Sequence, residues 1–588
     1  MTGEIHIESE KPTIAGLPAS FRVVFKSDQA IEVGGRLRLI YDYRGSDRKE
    51  SAGQTTNPGA ANYISCVSAT GISPHLRTYS VAHSYKPSWS EEPECFMWLD
   101  MLGPQVSLNS HVVEAGFVKG GLPAGGVLTF HFGGNERGYR LSRKSYEAYP
   151  VWAIVDATGD GRWQAVGKAV MQINPAAPAR LVCILPSTAY VGEETPLRIQ
   201  AFDGEFNAID DAALPQLIST PGLDLDLVKR TVRFTAAGEG HLGKGDGSPL
   251  TIGSNPSLVM EAPPENRIFW GDIHGHCNVC DGGLRSPEEY FTWGRDAMAL
   301  DFCALTPHDF GIALSEPETQ WNRLQATANE FNAPGSFVTL IGWEASHIGL
   351  PSGQPVGHKN IIFRGDQAPF VNGSNYGTPR VHVNYHSYPG LIEYLQHLDC
   401  LVIPHHTLNP VLPGGLGTNW NEFWPARERL VEIYSLWGAS EGMDTPGRTA
   451  EAVEGASVLA ALMRGYRMGF IAGSDTHDGR PANPHEPWST ANTAGLTAVF
   501  APGLTRETVY DALWQRSCYG TTGARIILRT DIAGLPTGRT RSLTLADEAI
   551  YERDIRLHVI GTDDIEQAEV IRNGQIIHAF TGDGMAME

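Results

Sequence analysis

The sequence has no long hydrophobic run. Its 588 residues contain no apolar stretch that approaches the roughly 20 residues of a membrane-spanning helix. The first ten residues, MTGEIHIESE, are acidic and lack the apolar stretch after a basic one that is typical of a secretory signal. We therefore expect a cytoplasmic protein with no membrane partner.

Cysteine is scarce for a chain of this length. The eight cysteines are scattered at positions 66, 95, 183, 277, 280, 303, 400 and 518. Such a distribution is not a disulfide framework, and reduced thiols are the expectation.

Positive charge is in deficit. The chain has 45 basic and 66 acidic residues, for a formal net charge of −21. Binding of a long nucleic acid rests on Lys and Arg neutralising phosphates, so the composition excludes that partner. A locally positive pocket can still accept a small anionic molecule, and the sequence leaves oligomerisation open.

The chain divides into four segments by its pattern of strands and turns. Alternating strands broken by Gly and Pro predict an N-terminal β-sandwich over 1–175, and a second strand-rich block of immunoglobulin-like size follows over 176–263. Residues 264–525 change to apolar strands alternating with helical patterns, and 526–588 return to strands. We expect an α/β barrel flanked by β domains.

The barrel expectation rests on the middle segment. Apolar strand-like runs such as RIFWGDIH and DFCALTPHD alternate there with amphipathic segments such as SPEEYFTWGRDAM. Continuous apolar strands between helices are typical of a parallel sheet covered by helices. Seven or eight such units over 264–525 predict closure into a barrel.

Polar side chains recur where these strands begin or end. They are His274 and His276, His308 and Asp309, Glu344, His358, His405 and His406, and Asp475 and His477. Functional groups of a parallel barrel gather at the carboxyl ends of its strands, so we expect these residues to share one rim.

Imidazoles and carboxylates in this arrangement predict metal binding. His274-x-His276 on a strand places both rings on one face, and Asp281 follows in the next loop. Neutral imidazole with carboxylate suits Zn, Mn or Fe(II). Nine candidates are too many for one tetrahedral ion, which implies two or three divalent metal ions. The candidates are His274, His276, Asp281, His308, Glu344, His358, His405, Asp475 and His477.

The order of these motifs resembles the PHP (polymerase and histidinol phosphatase) superfamily. HGHCNVCDGG, LTPHD, IGWE, GHKNI, IPHH and GSDTH follow the superfamily's motif order. They are most similar to its branch known only as a domain of unknown function with β-rich flanks. The resemblance implies a distorted (β/α)7-type barrel with a trinuclear metal site. Pro307, Cys277 and Cys280 depart from the usual Asp, Thr and Ser of the superfamily.

The predicted chemistry is hydrolysis. Several divalent ions outweigh the three carboxylates in charge, which favours a small anion and, with the resemblance, a phosphoester. Asp309, His406 or Asp478 are candidates to relay a proton. Arg480 is a candidate for substrate contact, together with Trp343, Arg380 and Trp420.

Three alternatives stay open from the residues alone. The same site suits an amide, lactone or carboxyl ester hydrolase. The amidohydrolases also open with H-x-H, although they usually carry a bridging Lys and end in a lone Asp, whereas this chain has Glu344 and closes with D-x-H. The third alternative is a β-rich binding protein whose middle segment is a scaffold without catalysis.

Overall fold

The computed structural model of the chain describes most, but not all, of its residues. The described ranges are 3–43, 51–81, 98, 101–102, 109–210, 212, 217–244, 251–280, 285–314, 316–346, 356–373, 381–409, 417–449, 452–484, 492–582 and 584–587.

The first unit consists of two stacked antiparallel sheets. One has the order β1-β3-β8-β5 and the other the order β2-β10-β9-β4-β7-β6, in which β2 alone pairs in parallel. Alternation explains the stacking, because Phe21, Val23 and Phe25 are buried between the sheets while their neighbours are more exposed. The strands are β1 (Gly3–Glu8), β2 (Thr13–Ile14), β3 (Phe21–Ser27), β4 (Arg36–Asp42), β5 (Ile64–Ser68), β6 (His75–Val81), β7 (Ser110–Gly116), β8 (Val127–Phe132), β9 (Tyr146–Asp156) and β10 (Gln164–Asn174).

The second unit is a set of small sheets around its own core. Their orders are β15-β14-β11-β21, β12-β22-β19, β13-β18-β17 and β16-β20. The core contains Leu181, Cys183, Val232 and Phe234. The strands are β11 (Arg180–Ile184), β12 (Thr188–Tyr190), β13 (Glu194–Pro196), β14 (Arg198–Phe202), β15 (Ala208–Ile209), β16 (Leu217–Ser219), β17 (Leu223–Asp226), β18 (Thr231–Phe234), β19 (Gly238–Gly240), β20 (Leu242–Lys244), β21 (Thr251–Ser254) and β22 (Ser257–Met260).

The third unit contains a seven-stranded sheet, β27-β26-β25-β24-β23-β31-β32, and a three-stranded sheet, β29-β28-β30. The sheets approach each other where β28 lies beside β27 and β30 lies beside β32. The strands are β23 (Arg267–Asp272), β24 (Phe302–Leu305), β25 (Val338–Ala345), β26 (Lys359–Phe363), β27 (Cys400–Pro404), β28 (Leu430–Ser435), β29 (Gly438–Ala439), β30 (Gly469–Ala472), β31 (Leu496–Ala501) and β32 (Cys518–Thr521).

Short helices lie between some of these strands. Ser286 caps the first of them through a capping box with Glu289, and a single π-helical turn, Trp293–Ala297, continues it. The helices are α1 (Pro287–Thr292), α2 (Asp309–Ala313), α3 (Pro317–Phe331), α4 (Tyr388–Leu395), α5 (Val458–Met463) and α6 (Arg506–Trp514).

The predicted α/β barrel of the (β/α)7 type is wrong. The chain is rich in strands, its sheets are curled and its helices are few. In the seven-stranded sheet, β23, β24 and β25 run parallel, but β26, β27, β31 and β32 pair antiparallel with their neighbours. The physical reason for the error is that a strand buried on both faces has the same apolar pattern in a parallel and in a mixed sheet.

Both faces of the seven-stranded sheet are buried. Trp343 and Ile361 belong to an outer core that also includes helix residues such as Tyr290. Leu340 and Ile362 belong to an inner core shared with strands of the three-stranded sheet. Successive side chains alternate between these two cores, as the period of a strand requires.

The C-terminal unit packs on the outer core. Its sheet has the order β34-β33-β35-β38, and Ile527 and Ile560 reach that core. A separate hairpin, β36-β37, turns at Asn573 and Gly574, both with positive φ, which these residues tolerate well. The strands are β33 (Ile527–Ile532), β34 (Leu535–Pro536), β35 (Ile555–Ile560), β36 (Gln567–Arg572), β37 (Gln575–Thr581) and β38 (Ala586–Met587), and Glu548–Ile550 forms a 3₁₀ turn.

Within the described residues, no helix is long and apolar enough to span a bilayer.

A buried hydrogen bond joins the second unit to the third. The Nε1–H of Trp270 donates to Oγ of Ser187 at 2.8 Å, and both residues are buried. We expect Ser187→Ala to lower the free energy of unfolding by about 1–3 kcal/mol, because the indole N–H would lose its partner. Urea unfolding measures this. Ser336→Ala, at an exposed turn serine, is the control, and an equal effect of both substitutions would contradict the prediction.

Candidate metal centre

The predicted ligands meet at one edge of the seven-stranded sheet. The parallel strands β24 and β25 carry His308 and Glu344 at this edge, and β23 leads to His274 and His276. The antiparallel β26 runs the other way, so its beginning, next to His358, lies at the same edge. The register pairs Lys359 with both Ala345 and Pro404.

Strand alternation turns several of these side chains inward. Glu344 continues the inner-face series of Val338 and Leu340, and His405 continues that of Leu401 and Ile403. Because alternate side chains of a strand point to the same face, His308 and His358 lie on the side of their strands that faces the inner core. The site is therefore the polar end of the inner core.

Backbone hydrogen bonds hold the first and last motifs together. The N–H of His276 donates to the carbonyl of Thr476 at 2.8 Å, and the N–H of Asp475 donates to the carbonyl of His274 at 2.9 Å. A parallel bridge also joins His308 to Glu344. His276 and Asp475, which are about 200 residues apart in the sequence, thereby come within hydrogen-bonding distance of each other.

Glu344 is the centre of the cluster. Its Oε2 lies 3.5 Å from Nε2 of His274, 3.3 Å from Nε2 of His276 and 3.3 Å from Nδ1 of His308. Its Oε1 lies 2.6 Å from Nδ1 of His358 and 3.4 Å from Nε2 of His405.

Asp475 is a second carboxylate close to the imidazoles of the cluster. Its Oδ1 lies 3.1 Å from Nε2 of His276, 3.3 Å from Nε2 of His274 and 3.7 Å from Nδ1 of His477. Its Oδ2 lies 3.9 Å from Nε2 of His406. Asp475 and His406 both have positive φ, of 53° and 31°, a strained conformation for residues other than glycine that is common at functional sites.

Three sets of donor atoms are close enough to hold a cation. Within each set the donor atoms lie within 4.8 Å of one another. The sets are His276, His308 and His477; His358, His405 and His406; and His274, His276, Glu344 and Asp475.

The donor set fits divalent metal ions. Nε2 of His274, both ring nitrogens of His405 and Oε2 of Glu344 are buried and have no hydrogen-bond partner among the described residues. Leaving a buried polar atom without a partner costs about 1–3 kcal/mol. Coordination of a cation would satisfy these atoms together, and nitrogen and oxygen donors in this mixture suit Zn, Mn or Fe.

Three imidazoles of the cluster are neutral at pH 7. Burial lowers the pKa of His276 and of His406 well below the usual range, and neighbouring imidazoles lower it further. Burial and the charge of His274 lower the pKa of His405 to about 3. Neutral imidazole is the form that binds a metal.

The carboxylates give the cluster a preference for positive charge. Burial alone would raise the pKa of Glu344, but the nearby His308, His358 and His405 hold it well below its usual range. Burial would likewise lower the pKa of His274, yet Asp475 and Glu432 outweigh it and raise that pKa. The cluster therefore attracts positive charge, as a proton on His274 or as a cation.

Glu432 is a site residue that the sequence analysis missed. Both of its carboxylate oxygens lie within 3.0 Å of Nδ1 of His274, and the residue is buried in β28, on the side of that strand that faces the inner core. Accepting from Nδ1–H leaves Nε2 of His274 available to bind a metal ion. The signal in the sequence was a carboxylate inside the apolar strand RLVEIYSLW.

Asp309 lies outside the cluster. Its carboxylate accepts hydrogen bonds from the backbone N–H of Phe310, Ser346 and Gly373 and from the hydroxyl of Tyr385. Burial raises its pKa to about 7. These contacts make it an anchor for the chain segments around the site, and the structure does not bring it to the ligands as a proton relay.

Arg480 also lies away from the ligands. Its guanidinium donates to Oδ1 of Asn207 at 2.9 Å and to the carbonyl of Ser145 at 2.9 Å, and it stacks on Trp293 at 4.5 Å. The residue is fully buried. It joins the third unit to the first two, and its predicted contact with a substrate stays a prediction.

The remaining residues that the sequence predicted for the site lie either outside the described residues or in packed regions of the fold. Asp281 and Arg380 lie outside the described residues. Trp343 packs in the outer core, and the indole of Trp420 donates to backbone carbonyls of Ala456 and Ser457. Both tryptophans are therefore packing residues.

Asp478 and Cys280 support the loops that carry the ligands. Asp478 accepts from Oγ1 of Thr476 and Nδ2 of Asn483. Cys280 Sγ lies 3.5 Å from Nδ1 of His276.

Comparison with known proteins returns relatives of unknown function. A family described as "Protein of unknown function (DUF3604)" matches residues 300–410 and 482–535, and the first of these ranges includes His308, Glu344, His358, His405 and His406. An uncharacterized protein of Chlamydia trachomatis is 31% identical over 341 residues, which cover 56% of this chain and 51% of that protein. An uncharacterized protein of Chlamydia pneumoniae is 30% identical over 327 residues, covering 54% and 49%.

The chain spans about half the length of the curated relatives it matches. Among solved structures, red sea bream transglutaminase matches with 11% identity and a TM-score of 0.14, covering 45% of this chain and 32% of that one.

The contact between Glu432 and His274 yields a prediction. We expect Glu432→Gln to weaken zinc binding about tenfold, because the neutral amide would no longer polarise the imidazole of His274. Competition with a chromogenic chelator measures the affinity. Glu441→Gln, at an exposed glutamate two residues after β29, is the control, and equal affinities for both variants would contradict the role of Glu432.

Proposed function

We propose that this chain is a metal-dependent hydrolase that cleaves a small anionic substrate of the phosphoester class. The observation that carries the proposal is the convergence of buried imidazoles on two buried carboxylates. The residues are His274, His276, His308, His358, His405, His406 and His477 around Glu344 and Asp475.

The three donor sets support two or three cations. Two of the sets share His276, and Glu344 contacts members of all three sets, so the ions would lie close together. Asp281, which lies outside the described residues, stays a proposed further ligand. Zn, Mn and Fe all remain suitable for this donor chemistry.

Divalent cations held here would act as Lewis acids and generate a nucleophile from water at neutral pH. The protein supplies the orientation. Glu432 holds His274 through Nδ1, and Ser346 donates to Oε1 of Glu344 at 3.1 Å while also contacting Nδ1 of His308 at 2.7 Å. These contacts fix the donor atoms before any substrate arrives, which is the requirement for precise positioning.

His406 is the proposed proton acceptor. Its side chain is 10% exposed, against 0% for His274, so it lies on the side of the cluster nearest to solvent. Its low pKa keeps Nε2 or Nδ1 free of a proton at pH 7. A neutral imidazole at the edge of the site can take a proton from the attacking water or serve as a ligand.

The phosphoester assignment rests on charge and on the motif order. Cations in excess of the carboxylates attract an anionic substrate even though the whole chain carries −21. The resemblance of the ordered motifs to the PHP superfamily supports the same class. Lys359, the buried lysine next to His358, directs its ammonium to Glu428 at 3.2 Å, and so does not serve as the bridging lysine of an amidohydrolase.

Metal quantitation and a substrate panel test the proposal together. The purified chain, loaded with Zn, Mn or Fe(II), is assayed on a chromogenic phosphomonoester and phosphodiester, a carboxyl ester, a lactone and an anilide. We expect more than one ion per chain and turnover of phosphoesters alone. Turnover of esters or amides without phosphoesters would favour the other hydrolase class, and less than one ion per chain would favour a non-catalytic scaffold.

His274 offers a direct variant. We expect His274→Ala to lose bound metal and phosphoester turnover together, because this imidazole lies within 3.5 Å of both carboxylates. Elemental analysis and the phosphoesterase assay measure the two losses. His397→Ala, at an exposed histidine in the turn after α4, is the control. An active, metal-loaded His274→Ala enzyme would refute the ligand assignment.

The cytoplasmic compartment expected from the sequence remains part of the proposal, and cell fractionation with a specific antibody tests it.

A further inference from the structure

The most exposed side chains of the ligand cluster identify its solvent-facing side. Side-chain exposure is 0% for His274, His276 and His405, and rises to 7% for His358 and 10% for His406. His477 is 5% exposed. The side of the cluster nearest to solvent is therefore the one with His358, His406 and His477.

Trp437 stands at this side. Its ring centroid lies 6.4 Å from that of His406, with an interplanar angle of 67°, and 6.0 Å from that of His477, with an angle of 85°. His406 and His477 belong to two different donor sets. The indole thus spans the two sets edge to face, in the arrangement that aromatic rings prefer.

The turn that carries Trp437 is fixed next to the ligands. Ser435 pairs with Gly438, so Leu436 and Trp437 form a two-residue turn between β28 and β29. The N–H of Leu436 donates to the carbonyl of Ser474 at 3.1 Å, and the N–H of Trp437 donates to Oγ of Ser435 at 3.2 Å. Trp437 is therefore held within the loop system that presents Asp475.

Turn chemistry does not explain this tryptophan. The positive φ of this hairpin falls on Gly438, at 103°, so the turn itself does not specify the residue at position 437. Leu436 is accounted for by burial, at 1% exposure, whereas Trp437 is only half-buried. A large apolar ring at a polar site offers a flat surface for a ligand.

We propose that Trp437 is a specificity-determining residue that packs against a flat apolar or aromatic group of the substrate, next to the anionic group that the metal centre binds. This inference rests on the proposed function and narrows its substrate class. The substrate is then a small anion with an aromatic or similarly planar substituent, and not a purely aliphatic one.

Two phosphonates that are not hydrolysed test this without turnover. Phenylphosphonate and methylphosphonate carry the same anionic group and differ in the ring. Their affinities for the zinc-loaded protein are measured by isothermal titration calorimetry. We expect wild type to prefer phenylphosphonate about fivefold to tenfold, the range that one aromatic contact provides.

The variants separate a ring contact from a structural role. Trp437→Ala is expected to lose the preference for phenylphosphonate, and Trp437→Phe to keep most of it. Trp424→Ala, at a half-buried tryptophan whose ring packs on Arg427 at 5.8 Å, is the control and should keep the full preference. Zinc content, measured for every variant, shows whether the metal centre is intact.

The outcomes distinguish the two proposals. Equal affinity of the zinc-loaded wild type for both phosphonates would overturn the role of Trp437 and leave the metal-dependent hydrolase standing. The same holds if Trp437→Ala keeps the wild-type preference. A wild-type chain that binds no metal would overturn the proposed function, and the inference on Trp437 with it.

Discussion

The buried carboxylate of Glu344 is the interaction on which the rest of the site depends. One side chain that is 1% exposed lies within 3.5 Å of five imidazoles from four chain segments. A buried charge is tolerated only when opposite charges or hydrogen bonds compensate it. The register of each strand at this edge must therefore place its imidazole within contact distance of the Glu344 carboxylate. The geometry of the site thus depends on the sheet register.

The mixed sheet meets this requirement in a way that a parallel barrel would not. Strands that run parallel present their carboxyl ends at the site, while the antiparallel β26 presents its beginning. His358 accordingly precedes its strand, whereas His405 follows its strand. Two sheets enclose the inner core, so that Glu432 of the smaller sheet reaches His274 from the side opposite Glu344. Support for His274 thus comes from a strand of the smaller sheet.

The flanking units have a defined structural relation to this centre. Arg480 and Arg285 both donate to the carbonyl of Ser145, and Arg480 also contacts Asn207. Arg480 lies three residues after His477. The loop that ends in the closing ligands is therefore held by the β-rich units in front of the third unit, which gives those units a part in fixing the geometry of the site.

Local sequence patterns predicted where helices and strands of the third unit lie along the chain, but they did not predict how the strands are arranged in the sheet. The segment SPEEYFTWGRDAM was read as a capped helix, and α1 begins there behind the Ser286 cap and ends in a π turn. The predicted strand directions are wrong, because an apolar run such as HKNIIF does not indicate whether the strand pairs in parallel or antiparallel with its neighbours. The burial of Arg480 was likewise not predictable, since a buried arginine and a substrate-binding arginine look alike in sequence.

The amino-acid sequence specifies the available chemistry: imidazoles and carboxylates at strand boundaries, few thiols and a net negative charge. Only the tertiary structure decided which of those groups meet, because distances between residues hundreds of positions apart depend on sheet order and on the face that each side chain takes. It brought His276 to Asp475 at 3.1 Å, and it moved Asp309 and Arg480 into supporting contacts. It also added Glu432 and Trp437, whose positions beside the ligands are set by packing between two sheets and not by any motif.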